Sequence, residues 1–283
     1  MDLNVKVAVR CRPMSSREVS RGCKTIIAMT DKTVAVSHSA DTTQPPKEFT
    51  FDHCYYMDST QEQVYADLGS PVVIQALEGF NGTIFAYGQT GSGKSWSMMG
   101  SEADPAFKGV IPRLNDDLWA KLQEKRVELE KQRTQSANTS PPADIPGETQ
   151  FMITASFLEI YNEEINDLLN PTGKSLSSSS SAATGGMGNK KAKKLQIRES
   201  PELGIYVEGL YELVVHSAED LLRLIQQGNN FRHVAATNMN EQSSRSHSCF
   251  TIKIEQKTTT DLGGGITREQ IVKAKINLVD LGE

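Results

Sequence analysis

Residues 5–10 alternate, Val-Lys-Val-Ala-Val-Arg, and the alternation stops before Pro13, which predicts a strand feeding a turn. Over residues 60–80 the period lengthens. Val64, Leu68, Val72, Val73, Ala76 and Leu77 recur at helical spacing, with Gly69-Ser70-Pro71 bending or splitting the helix. Residues 83–87 form a short β-branched and aromatic run bounded by glycines, the pattern of a buried strand. Residues 111–133 place Leu114, Leu118, Leu122 and Leu129 on one helical face and Glu124, Glu128 and Lys131 on the other. Further on, the pattern predicts a strand over 151–160, a helix-prone polar stretch over 161–169, a hairpin within 195–213 and a helix over 218–227. Strands over 249–257 and 270–279 complete it. Helices alternate with strands, so the fold class is α/β.

Two stretches break the periodicity. Residues 134–148 (TQSANTSPPADIPGE) are rich in turn formers, and residues 170–194 carry a Ser/Gly-rich tract followed by Lys190, Lys191, Lys193 and Lys194. Periodic segments resume on both sides of each, so they read as polar loop insertions within one domain spanning residues 1–283.

Composition then narrows the classes. With glycine counted, the 283 residues are about 44% apolar, enough to bury a core. The formal charge of −5 argues against a broad nucleic-acid surface, so an anionic partner has to be held locally. Cys11, Cys23, Cys54 and Cys249 show no paired spacing, which points to reduced thiols and neither zinc nor disulfides. The first twenty residues lack an apolar signal core, and no uncharged run of about 18 apolar residues occurs. The expectation is a soluble, intracellular protein without membrane insertion.

Gly88-Gln89-Thr90-Gly91-Ser92-Gly93-Lys94-Ser95 fits G-x-x-x-x-G-K-[ST] directly after an apolar strand and before a segment that can be helical. Glycines let main-chain N–H groups wrap phosphates, Lys94 reaches the β- and γ-phosphates, and the Ser95 hydroxyl suits Mg²⁺. Alone, the motif specifies a nucleoside triphosphate and no particular reaction. Hydrolysis also needs groups that sense the terminal phosphate, and two segments qualify. Residues 240–247 (NEQSSRSH) concentrate hydroxyls and one arginine between a helix and a strand, although composition alone also allows an ordinary capped loop. Residues 276–280 form an apolar strand ending in Asp280, where such proteins place an acid that holds Mg²⁺ through water, and where a turn cap also fits.

Eight collinear blocks then resemble the kinesin motor domain. They are RCRP (10–13), FDH (51–53), IFAYGQTGSGKS (84–95), GVIPR (109–113), SFLEIYNEEINDLL (156–169), YVEGL (206–210), NEQSSRSHS (240–248) and NLVDL (277–281). The resemblance implies a P-loop NTPase of kinesin-motor type: a central mixed β-sheet flanked by helices on both faces, binding ATP and Mg²⁺ and hydrolysing ATP on microtubules. It implies that Arg10, Arg12 and Pro13 lie along the adenine side, with Trp96 near the nucleotide. It further implies that Gly88 to Ser95 hold phosphates and Mg²⁺, and that residues 240–247 form switch I. Within that segment Asn240 would line the nucleotide, while Ser243 and Ser244 would approach the γ-phosphate and the attacking water. Arg245 would pair with Glu283 of switch II, and Gly282 would stand where the family has its phosphate-sensing glycine. Lys190 to Lys194 and Arg198 fall where the family brings a loop toward tubulin, so a salt-sensitive tether is expected.

Two departures shape the expectation. Family switch II reads D-L-A-G-S-E, whereas Asp280-Leu281-Gly282-Glu283 is two residues shorter, so the Gly282 N–H is not expected to meet the phosphate in the family's loop geometry. The elements that follow switch II in the family are also not in this sequence. The sequence therefore predicts a retained nucleotide pocket, impaired motor activity and an exposed sheet edge. The alternative is a non-catalytic fragment that holds nucleotide or tubulin without turnover. A P-loop kinase or GTPase of another kind leaves the collinear blocks unexplained, and no guanine-reading N-K-x-D run occurs.

Overall fold

A computed structural model describes residues 5–38, 44–101, 103–137, 148–170, 195–201, 204–238, 245–261 and 267–282. The N-terminal alternation condenses into β1 (Ala8–Arg10), followed by α1 (Ser16–Ser20). A small antiparallel sheet comprises β2 (Ile27–Met29), β3 (Thr33–Val36) and β4 (Lys47–Thr50), and β5 (His53–Tyr55) returns to pair in parallel with β1. The helical stretch divides as Gly69-Ser70-Pro71 predicts. It becomes α2 (Gln61–Leu68), capped by the Thr60 hydroxyl, and α3 (Ser70–Leu77), which starts with Pro71 in its first turn.

Next come β6 (Gly82–Ala86), α4 (Lys94–Met98), α5 (Val110–Ala137), β7 (Thr149–Tyr161), β8 (Glu164–Asp167), β9 (Gln196–Ser200), β10 (Gly204–Glu208), β11 (Leu213–Val215), α6 (Ala218–Asn238), β12 (His247–Asp261) and β13 (Thr267–Asp280). The central sheet runs β11-β7-β12-β13-β6, with β8 folded onto β7. It is mixed: β13 pairs β6 in parallel, and the other pairs are antiparallel.

Register shows where the core sits. Phe157, Phe250, Leu278 and Ile84 lie opposite one another across four strands, as do Ala155, Ile252 and Ile276. This face packs against Val73 and Ala76 of α3, Leu114, Leu118 and Leu122 of α5, and Leu221 and Ile225 of α6, all within one buried cluster. Burial of such side chains contributes about 1.5–3 kcal/mol each. The alternate face carries a polar ladder: Thr251 donates to Asn277 Oδ1 at 3.1 Å, and Asn277 Nδ2 donates to Thr83 at 3.1 Å.

Three expectations need correction. The stretch 161–169 is not helical: Asn162 and Glu163 take φ of 49° and 61°, a two-residue turn that sends β8 back along β7. Cross-strand pairing of Ile165 with Ile160 outweighs local helix preference there. Helix α5 continues to Ala137, through the first four residues assigned to a loop; 138–147 and 171–194 lie outside the described residues, the four lysines included. Strand β6 is only half-buried. Among the described residues it is a sheet edge, and Phe85, opposite in phase to Ile84, is 64% exposed, with Tyr87 beyond it at 88%.

An exposed aromatic beside an unpaired strand edge favours edge-to-edge association. Phe85→Lys is expected to lower the concentration-dependent self-association of this chain in sedimentation velocity. Identical sedimentation of the two proteins at all concentrations would contradict this.

Candidate functional site

Strand β6 delivers the chain into the glycine-rich loop, and α4 takes it away. Gly88 has φ of 148°, and a Cβ there would sit 2.6 Å from Ser92 Oγ, so the loop's first turn requires glycine. Inside the loop Ser92 N donates to Gln89 O at 3.0 Å, and the Lys94 ammonium donates to the Gly88 carbonyl, folding its charge over the loop. Gln89, Thr90, Gly91, Ser95 and Trp96 are open to solvent, while Ser92, Gly93 and Lys94 are half-buried.

The acid predicted at the end of the last strand meets this loop. Pairing of β13 with β6 puts Asp280 beside Ala86, and the Ser95 hydroxyl donates to Asp280 Oδ2 at 3.1 Å across 185 residues of sequence. Asp280 Oδ1 is buried and accepts no hydrogen bond among the described residues. A buried carboxylate oxygen left unbonded is costly unless something fills it. One carboxylate and one hydroxyl beside a glycine-rich loop of this form suit Mg²⁺, which keeps several waters and takes few protein ligands. The group fits these residues. No cluster of three or more His, Cys, Asp or Glu that could hold another metal occurs among the described residues.

The Arg10–Pro13 segment divides its labour. Arg12 Nε donates to Gly91 O at 2.7 Å, and its two Nη atoms reach Glu18 at 2.8 Å each. Glu18 closes a capping box with Ser15 at the start of α1. The Arg12 guanidinium, then the Ser15 N–H and hydroxyl, hold the Glu18 carboxyl well below the usual carboxylate range. A carboxyl so lowered is ionised throughout the neutral range, and the clamp is lost only as pH falls through the lowered value. Arg12 Nη1 also donates to Pro13 O at 2.8 Å, which ties Pro13 to the same clamp.

Arg10 faces elsewhere. Its guanidinium donates to Gln61 Oε1 at 2.7 Å, Ser97 Oγ at 3.1 Å and Ser59 O at 3.2 Å, so it ties the end of β1 to α2 and α4. Gln61, 4% exposed, donates in turn to the carbonyls of Trp96 at 2.8 Å and Phe107 at 3.3 Å. The Trp96 ring, 42% exposed, packs at 5.6 Å and 48° against Phe107. Sequence reasoning missed Gln61 and Ser97. Their only signal was position, one residue after a helix cap and two after the phosphate loop.

The serine-rich segment is described from Arg245 onward. Arg245 is exposed and Ser246 fully buried. Asn240, Ser243, Ser244 and Glu283 lie outside the described residues, and with them the expected Arg245–Glu283 pair. Ser246 is clamped by Arg232 of α6, which donates to its carbonyl at 2.9 Å and to its hydroxyl at 3.2 and 3.3 Å. Arg232 also reaches Ser248 Oγ at 3.2 Å and lies 3.5 Å from Glu159 Oε1, a carboxylate 97% buried. At that separation Oε1 forms an ion pair without a hydrogen bond. Arg232 and Glu159 were not foreseen as parts of the site. Gly282 presses on the same segment: a Cβ there would lie 2.6 Å from Ser246 O, and its N–H donates to His247 Nδ1 at 3.0 Å. Arg198, counted with the basic cluster, instead pairs across its hairpin with Glu208 at 3.0 Å. No described helix is long and apolar enough to cross a membrane.

Comparisons with known proteins agree with this arrangement. The family model described as the kinesin motor domain matches residues 10–283. The chain is 38% identical over 286 residues to human kinesin-like protein KIF1C, 40% over 286 residues to rat kinesin-like protein KIF1A and 41% over 293 residues to human kinesin-like protein KIF13A. The matches cover 98%, 98% and 99% of this chain but 22%, 14% and 14% of those proteins, so the chain spans a minor part of each relative's length. A solved structure of a fast kinesin, described with implications for ATPase mechanism and interactions with microtubules, superposes with a TM-score of 0.71 at 32% identity. The match covers 98% of this chain and 65% of that one.

Proposed function

Because this chain belongs to the kinesin motor-domain family, we propose that it forms the ATP-hydrolysing head of a microtubule motor, with Mg²⁺-nucleotide seated on residues 88–95. The contact of Ser95 with Asp280, whose second carboxylate oxygen is buried and unbonded, carries this reading. It brings together a hydroxyl and a carboxylate at the open end of a loop whose glycines and lysine suit phosphate.

In this reading the N–H groups of residues 88–95 and the Lys94 ammonium receive the phosphates, and Ser95 and, through water, Asp280 hold Mg²⁺. When bound, the ion neutralises charge developing on the phosphate oxygens. Arg12, Pro13 and Trp96 flank the base, with the indole offering a stacking face on a backbone whose carbonyl is bonded by Gln61, itself bonded by Arg10. Asn240, Ser243 and Ser244 order around the terminal phosphate and the attacking water, and Arg245 pairs with Glu283. Positioning and electrostatic stabilisation then supply the rate, with no strongly basic catalyst. Tubulin is the partner, and Lys190 to Lys194 add a screened, salt-sensitive attraction to its acidic surface.

Steady-state ATP turnover with and without microtubules, at low and high salt, tests this. Turnover stimulated by microtubules and weakened by salt is expected. Nucleotide binding without turnover in either condition would favour a non-catalytic nucleotide-binding fragment instead, and an absence of nucleotide binding would refute the pocket.

A further inference from the structure

Two aromatic residues beyond the glycine-rich loop are joined through their backbones by one buried side chain. The Gln61 amide nitrogen donates to the Trp96 carbonyl at 2.8 Å and to the Phe107 carbonyl at 3.3 Å, while its oxygen accepts from Arg10 at 2.7 Å. This orientation cannot be reversed, because a guanidinium only donates and a carbonyl only accepts. The main chain leaves the Trp96 carbonyl to this contact. At the end of α4 the N–H groups of Met99 and Gly100 both turn to Ser95 O, at 2.8 and 3.2 Å, and Ser101 N donates to Phe107 O at 2.9 Å. The Phe107 end is held independently. Asp104 caps the short 3₁₀ turn Pro105–Phe107, and Arg113 donates to the carbonyls of Pro105, Ala106 and Lys108. The two rings then meet at 5.6 Å, each still partly open to solvent.

We propose that Gln61 is a positioning residue for the nucleotide base: by joining the two carbonyls it fixes the Trp96–Phe107 pair as a platform on which a planar ring system stacks. The proposal rests on the nucleotide reading above and adds to it the residue that governs affinity on the base side. Phe107 limits how the indole turns, and the place of Phe107 relative to α4 depends on the amide the two carbonyls share. Ordering an aromatic side chain at the moment of binding costs free energy, and holding it beforehand removes that cost. Trp96 stands two residues beyond Lys94, so a platform free to tilt loses the base while the groups that meet phosphates keep their places.

The test separates base from phosphate. Affinities for ATP and for ribose 5′-triphosphate, which lacks only the base, are measured with Mg²⁺ by calorimetry, and their ratio isolates the base side. Gln61→Leu removes both donors and should lower the ratio about 3- to 10-fold, the worth of one net hydrogen bond, with ribose triphosphate bound within about 2-fold of the unmodified chain. Gln61→Glu keeps the oxygen that accepts from Arg10 and loses the donors, so it should lower the ratio to a similar extent. A side chain needed only to brace Arg10 would tolerate that change. Trp96→Ala should lower the ratio as well, and Gln61→Leu added to it should lower it no further, since the platform is already gone. A spectroscopic reading leaves Gln61 untouched. With Trp119→Phe, Trp96 is the sole indole of the chain, and its fluorescence should change with ATP and not with ribose triphosphate. An unchanged ratio in Gln61→Leu or Gln61→Glu, additive losses in the double variant, or an indole indifferent to ATP overturns the proposal and leaves residues 88–95 as the phosphate site. An unmodified chain that binds neither ligand overturns the nucleotide reading itself.

Discussion

Lys94→Ala is expected to abolish measurable nucleotide binding while leaving the fold intact. Among the described residues the ammonium bonds only the Gly88 carbonyl, so its removal costs the fold a single hydrogen bond. Its task is to meet phosphate oxygens, where a hydrogen bond between charged groups contributes about 1.5–3 kcal/mol and a lysine donates more than one. A loss of at least about 100-fold in ATP affinity follows. Calorimetric titration checks the affinity and thermal melting checks the fold. Lys94→Arg should fail as well, because a planar guanidinium does not reproduce the compact ammonium charge that meets the phosphates. Retained ATP affinity in Lys94→Ala would remove residues 88–95 from the site.

The largest effect on stability is expected at Arg232. Glu159 is 3% exposed at its side chain and lies on the helix-facing side of β7, with Arg232 as its ion-pair partner. Arg232→Met leaves that carboxylate buried without the cation and removes the clamp on Ser246. Breaking a buried pair from one side costs about 3–5 kcal/mol. Urea denaturation should show the loss, and the double variant Arg232→Met with Glu159→Leu should recover part of it, since removing both charges leaves no unpaired buried charge. A single variant within about 1 kcal/mol of the unmodified chain would mean that Glu159 finds other stabilisation. Because Arg232 also fixes Ser246, both variants should lose order around residues 245–248, even where the double variant regains stability.

What could be read from the sequence divides according to the distance over which each feature is determined. The phosphate loop was legible because its requirements are local: a strand end, glycines where the backbone turns sharply, then lysine and serine on the next helix. The split at Gly69, the leucine face of α5 and the two long strands β12 and β13 were legible for the same reason. The stretch 161–169 misled because its composition tolerates a helix, and only the presence of β7 alongside made the Asn162-Glu163 turn and β8 the better solution. Helix α6 runs eleven residues past Gln227, starting with Gly228-Asn229-Asn230, residues of low helix preference.

The site partners that escaped notice are the non-local ones. Arg10 meets Gln61 across 51 residues, and Arg232 meets Glu159 from another element altogether. No spacing rule announces such pairs, because each side chain alone reads as an ordinary surface charge or amide. The resemblance to a family supplied what spacing could not, the role proposed for the serine-rich segment. The structure adds that Ser246 and His247, at the described end of this segment, are held by Arg232 and by Gly282 respectively.

The central claim is that Ser95 and Asp280, brought together by the parallel pairing of β6 with β13, complete a Mg²⁺-nucleotide site on residues 88–95. A crystal structure of this chain with Mg²⁺ and a non-hydrolysable ATP analogue tests it most directly. Phosphates cradled by the main chain of residues 88–95, with the ion on Ser95 and a water of its shell on Asp280 Oδ1, is the predicted result. A ligand bound elsewhere, with the Ser95–Asp280 contact undisturbed and the loop empty, would contradict the account.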